Sequence, residues 1–108
     1  MSVARDIVFK QASDVYLDIT GMINGEPLTS ISAAKYIICN LDGDVVVERT
    51  LGNGISFNAG VTTVHITDQD SLELTGQYTH ECVVKDTLDN DIFILTGRVR
   101  VIPTKARI

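Results

Sequence analysis

At 108 residues the chain has room for one domain and one hydrophobic core, with roughly two-thirds of the unfolded surface available for burial. Nine Lys and Arg against fourteen Asp and Glu leave a net charge of −5, which repels phosphate backbones and excludes nucleic acid as a partner. The opening Met-Ser-Val-Ala-Arg-Asp has no apolar signal-peptide core and no later window reaches membrane-spanning length, so the expectation is a soluble protein made without Sec export or membrane contact.

In chain order, residues 1–5 read as a flexible arm and Asp6 to Lys10 as a short strand with Ile7 and Phe9 on one side. Asp14 to Thr20 alternates cleanly, Val15, Leu17 and Ile19 against Tyr16, Asp18 and Thr20, which predicts a strand buried on one face. Asn24-Gly25 and Glu26-Pro27 mark a tight turn, and an irregular crossing follows to Ala34. Lys35 to Leu41 resumes alternation, and Asp42-Gly43 turns it into a second strand over Asp44 to Thr50. Gly52-Asn53-Gly54 breaks the pattern before a short strand at Ile55 to Phe57, and Asn58-Ala59-Gly60 leads into Val61 to Thr67. Asp68 to Thr75 is polar, anchored by Leu72 and Leu74, and reads as a single helical turn crossing between sheets.

Gly76 to Pro103 is the strongest hairpin. Tyr78, His80, Cys82 and Val84 share one face, and Val83 alone breaks the alternation. After an acidic turn, Phe93, Leu95, Gly97, Val99 and Val101 are expected inward, which leaves Ile92, Ile94, Arg98 and Arg100 outward. Seven to eight short strands with turn signals every ~8–12 residues predict an all-β, antiparallel immunoglobulin-like β-sandwich over residues 6–102, followed by a basic tail over 103–108.

Gly76-Gln77-Tyr78 is similar to the corner that opens one strand of immunoglobulin domains, where the tyrosine hydroxyl ties back to upstream backbone. Cys82 lies too far beyond Tyr78 for the antibody pattern, and the chain has no Trp. Gly25-Glu26-Pro27-Leu28-Thr29, Asp42-Gly43, Gly52-Asn53-Gly54-Ile55, Glu73-Leu74-Thr75-Gly76-Gln77-Tyr78 and Leu95-Thr96-Gly97-Arg98-Val99-Arg100-Val101 follow one another in order. In that succession the chain resembles small tailed-phage and prophage virion proteins with an immunoglobulin-like sandwich, akin to the amino-terminal domain of upper baseplate proteins. The resemblance covers roughly Asp6 to Pro103. It implies a non-enzymatic structural component of a phage or prophage particle: a baseplate, tail or neck adaptor, or a capsid decoration module. Its location would be the virion, and the host cytoplasm during assembly.

The residues themselves offer little chemistry. Cys39 and Cys82 lack C-x-x-C spacing and read as two buried thiols, with a bridge between them as the alternative. His80 and Cys82 are same-face neighbours, a start for a zinc site but short of its usual ligand number, and packing leaves them no room for substrate. The acidic groups Asp42/Asp44, Asp68/Asp70 and Asp86/Asp89/Asp91 match no calcium loop and read as solvated turns. No metal, cofactor or catalytic residue is therefore expected. Ile92, Ile94, Arg98, Arg100, Lys105 and Arg107 are the candidate protein interface, Arg beside β-branched residues being typical of such patches. Gly76 and Tyr78 are the fold-setting corner. Partners would be other virion proteins or copies of the same chain; the alternative function is a host-surface or carbohydrate-binding sandwich.

Overall fold

The computed structural model describes residues 3–23 and 25–105. Its elements are β1 (Val3–Ala4), β2 (Ile7–Lys10), β3 (Val15–Thr20), β4 (Met22–Ile23), β5 (Glu26–Pro27), β6 (Ala33–Cys39), β7 (Val45–Leu51), β8 (Gly54–Asn58), β9 (Val61–Ile66), α1 (Asp68–Ser71), β10 (Gly76–Lys85) and β11 (Asp91–Ile102). The fold is an all-β immunoglobulin-like sandwich. Hydrogen bonds run continuously in the order β1-β11-β10-β6-β7-β8-β9-β3, with β2 also on β11 and β4–β5 as a separate small hairpin.

The sheet curls on itself because its middle link is thin. β7 and β8 pair in parallel over only Thr50↔Gly54 and Leu51↔Ile55, and beyond that point the chain belongs to the second layer. Inward residues of β6, β10 and β11, among them Tyr36, Ile38, Val84 and Val99, then meet Leu17, Ile19, Val64 and Ile66 of β3 and β9 in one core. Burial of these alternate positions is the main stabilising term, about 25 cal/mol per Å² of apolar surface removed from water.

Most boundaries follow the sequence pattern, since period-2 alternation leaves each strand one dry face. The helical turn α1 is capped as its residues require. Thr67 accepts from the Asp70 amide at 3.1 Å and Asp70 accepts from the Thr67 amide at 2.8 Å, while Arg49 ion-pairs with Asp70 and pins the turn to β7. Burial works against the Asp70 carboxylate, yet the Arg49 and Thr67 hydrogen bonds win and hold it below the usual carboxylate range. Leu74 is buried and Leu72 half-buried, the two anchors expected of this crossing. Gly76 takes φ +96°, a left-handed conformation that favours glycine, and the Tyr78 hydroxyl accepts from the Thr75 amide and donates to the Thr75 carbonyl, each at 3.0 Å. The corner forms as the Gly-x-Tyr pattern predicted.

The N-terminal arm differs from expectation. Val3 and Ala4 pair in parallel with Leu95 and Thr96, and the Arg5 amide donates to the Thr96 carbonyl at 2.9 Å, so residues 3 and 4 belong to the sheet and Arg5 is bonded to its edge. Met1 and Ser2 lie outside the described residues. At the other end Thr104 donates its amide to Gln11 at 3.4 Å, tying the start of the tail to the loop after β2.

Candidate functional site

The proposed interface patch is divided by one irregularity in β11. Cys82 pairs with Leu95 and Val83 with Phe93, so Ile94 is an extra residue, a β-bulge. An inserted residue reverses the alternation on one side of it. Ile94 is therefore 0% exposed in the core, Ile92 is half-buried against it, and Phe93, expected inward, is 50% exposed. Neither Ile92 nor Ile94 belongs to an outward patch. The signal was present in the run Ile92-Phe93-Ile94-Leu95, four apolar residues with no polar alternate, and in the misfit of Val83.

Arg98 and Arg100 do project outward, opposite Thr79 and Gln77 on β10, and neither guanidinium has a partner among the described residues. Phe93 and Val83 form a cross-strand pair further along the same outer face, and half-buried Ile37 and Cys39 continue it onto β6. Exposed Val45 and Val46 on β7 extend the apolar strip, the latter standing opposite a second register shift between Ile38 and Cys39. Lys35 and Glu48 cross it as an exposed ion pair at 3.8 Å. Lys105 is exposed at the end of the chain as described, and Arg107 lies outside the described residues.

His80 and Cys82, the chemical-looking pair, are core. Burial pushes the Cys82 thiol up to about 12, far from a reactive thiolate, and both cysteines are free thiols. His80, 2% exposed, bonds through Nδ1 to the Tyr36 hydroxyl at 2.9 Å and through Nε2 to the Arg5 carbonyl at 2.7 Å. A carbonyl only accepts, so Nε2 carries the proton and Nδ1 accepts from Tyr36. Burial keeps the imidazole neutral by lowering its pKa, the Arg5 bond opposing this in part, and burial likewise raises the Tyr36 hydroxyl far above its ordinary value. Opposite His80 stands Gly97. A Cβ there would lie 2.0 Å from the Arg5 carbonyl oxygen, so the missing side chain is what lets the arm cross.

The acidic turn between β10 and β11 is occupied by its own backbone and neighbours. Asp86 accepts from the Asn90 amide, the Asn90 side chain and the Leu88 amide, which hold its carboxyl below the usual range. Lys85 reaches Asp91 at 2.9 Å and Asp89 at 3.5 Å. Among the described residues no three His, Cys, Asp or Glu side chains are grouped to hold a metal ion.

A second feature lies on the outer face of the β3–β9 layer. Tyr16 is 66% exposed, and its ring stacks on that of His65, its register partner, with centroids 4.3 Å apart and planes within 6°. Asp14 fixes His65 by a 3.0 Å contact to Nε2 and also accepts from the Asp68 amide. The pair borders a shallow cavity of about 330 Å³ whose other walls include Gly52, Gly54, Ser56 and Thr63. The sequence placed Tyr16 on the polar side of its strand but not beside His65, because that pairing joins distant stretches of chain.

No protein-family model matches the chain, and no curated protein matches it. Solved structures do. CopC from Methylosinus trichosporium OB3b aligns with a TM-score of 0.56 at 14% identity, over 99% of this chain and 91% of that one. Fibronectin(III)-like modules of Clostridium thermocellum CbhA align with a TM-score of 0.56 at 12% identity, over 96% and 94% of the two chains. A putative glycoside hydrolase from Bacteroides vulgatus aligns at 0.53 and 12% identity, over 91% of this chain but only 16% of that one. At these identities the likeness establishes the sandwich fold and nothing about activity.

Proposed function

We propose that the chain is a non-enzymatic docking module of a tailed-phage or prophage particle, built to seat on another virion protein. The observation that carries the docking half is the outer face of β11, β10, β6 and β7. Phe93, Val83, Ile37 and Val46 form an apolar strip there, and Arg98 and Arg100 stand unpaired at one end of it. Exposed aromatic and Arg side chains together are the composition of interface anchors rather than of a surface evolved only for solubility. On an acidic domain those arginines select a partner with an acidic rim at that end. The virion half rests on the ordered motif resemblance from Gly25 to Val101. Assembly would take place in the host cytoplasm and the product would reside in the particle.

Mass spectrometry of purified particles tests the reading. The chain is expected at fixed stoichiometry, and the Arg98→Glu/Arg100→Glu protein is expected to fold with stability within about 0.5 kcal/mol of wild type yet to be missing from particles. Particles that lack the wild-type chain defeat the virion reading. Particles that incorporate the doubly charge-reversed chain normally defeat the choice of face.

A further inference from the structure

The geometry points to a carbohydrate-binding platform on the β3–β9 layer, in which Tyr16 stacks on the apolar face of a pyranose ring. This site is independent of the docking face, which lies on the other layer of the sandwich. Tyr16 leaves 66% of its surface to solvent although it has a stacking partner, so the open side of the ring is available to a ligand. Its orientation is set in advance: His65 lies parallel beneath it at 4.3 Å, and Asp14 holds the imidazole at 3.0 Å. A pre-set aromatic loses little conformational freedom on binding, which is the usual economy of rigid aromatic anchors.

The cavity beside it, about 330 Å³, sits at the small end of ligand-pocket sizes. Its polar groups suit a polyol. Among the described residues the Ser56 hydroxyl has no hydrogen-bond partner, and it can both donate and accept, as a sugar hydroxyl demands. Thr63 donates to Asp18 at 2.7 Å, which leaves its own oxygen free to accept. Gly52 and Gly54 put bare backbone on the remaining wall. A cationic ligand is the competing chemistry for an exposed ring near carboxylates. It fits less well, because Asp14 is already shared between His65 and the Asp68 amide and Asp18 is engaged by Thr63.

Two-dimensional amide NMR of the full chain, titrated with the methyl glycosides of glucose, galactose, N-acetylglucosamine and rhamnose and separately with choline, decides the matter. The expected result is saturable shifts from at least one glycoside, confined to residues around Tyr16, Ser56 and Thr63, with millimolar affinity. Tyr16→Ala should weaken binding at least roughly tenfold and Tyr16→Phe should retain it, since the ring does the stacking. Tyr16 is exposed, so both proteins should keep wild-type spectra elsewhere. Absence of saturable shifts with every glycoside, shifts that survive Tyr16→Ala unchanged, or saturation by choline alone would overturn the proposal. Arg98→Glu/Arg100→Glu should bind the glycoside as wild type does, which separates failure of this site from failure of the docking face.

Discussion

Gly97→Ala inverts an ordinary rule, and the inversion can be measured. Replacing Gly in a strand interior by Ala normally stabilises by roughly 0.5–1 kcal/mol, because the unfolded chain loses freedom and the strand gains a side chain. Gly97 lies within β11 without a left-handed φ, so its backbone raises no objection to Ala. The objection is the arm. The new Cβ would sit 2.0 Å from the Arg5 carbonyl oxygen, 2.7 Å from its carbon and 3.1 Å from Asp6 Oδ1. Reaching ordinary contact needs a retreat of roughly 1.4 Å, the gap between 2.0 and 3.4 Å. The obstructing atoms are backbone, so no rotamer change relieves them.

A retreat of that size stretches the 2.7 Å bond from His80 Nε2 to the Arg5 carbonyl beyond use, and loosens the Arg5 amide to Thr96 and the Arg98 amide to Asp6, both 2.9 Å. His80 is 2% exposed, so its N–H would be left buried and unpaired, a penalty of about 1–3 kcal/mol. With the weakened neighbours the substitution should cost about 2–4 kcal/mol, lowering the melting temperature by on the order of 10 °C. Urea unfolding of four proteins tests this: wild type, Gly97→Ala, a chain lacking residues 1–5, and the combination. The Ala penalty should largely vanish in the shortened background, where Arg5 is gone. A Gly97→Ala protein as stable as wild type, or a penalty that persists without the arm, refutes the account.

Three further outcomes follow from the core and the corner. Ile94→Ala should cost about 2–5 kcal/mol while Phe93→Ala stays within roughly 1 kcal/mol, and equal losses in urea denaturation would mean that the bulge is misplaced. Tyr78→Phe removes a hydroxyl that both accepts from and donates to Thr75, and should cost about 1 kcal/mol by the same measurement; an unchanged midpoint would deny the corner its role. Stability should fall with pH below about 6.5, because unfolded His80 takes a proton near its ordinary pKa while the folded imidazole resists until lower pH. The unfolded state then binds more protons, so the contribution is complete above about 6.5, declines from there by at most ~1.4 kcal/mol per pH unit, and levels off below the folded pKa. The charges of Arg5 and Asp6 act on this imidazole in opposite senses, Asp6 raising and Arg5 lowering its pKa. His80→Gln should flatten that window, leaving the acid limb to Asp70 and Asp86; a decline that survives the substitution assigns it to another group.

The parts of the fold that were legible in the sequence are those in which local pattern and tertiary outcome coincide. Val15 to Thr20 alternates because its strand has one dry face, and Asp42-Gly43 and Gly76-Gln77-Tyr78 carry turn chemistry within a few residues. The parts that were not legible depend on distant chain. Nothing near Val3 announces that it pairs with Leu95, and the one trace of the crossing is a missing side chain at Gly97. The bulge at Ile94 moved two of the six proposed interface residues into or against the core and brought Phe93 out, because a single inserted residue exchanges the faces of everything on one side of it. Arg98 and Arg100 kept their outward positions because they lie on the other side of the insertion.

Gly97 and the bulge at Ile94 therefore shape one layer in different ways. Gly97 admits the arm, and through the Arg5 carbonyl, His80 and Tyr36 the edge of the sheet is tied by hydrogen bonds to the middle of the core. The bulge at Ile94 drives an extra apolar side chain inward and leaves Phe93 outside beside Val83. A regular strand would have buried Phe93 and presented Ile94, a β-branched side chain with less area to fill a partner's pocket. The outer face of that layer thus acquires its exposed aromatic side chain from the same inserted residue that fills the core behind it. The Tyr16 platform owes nothing to either device, since β3 and β9 pair in unbroken register from Val15↔Ile66 to Thr20↔Val61. Loss of the bulge should accordingly withdraw Phe93 from the outer face and lower stability together, while the Tyr16–His65 stack on the opposite layer stays as it is.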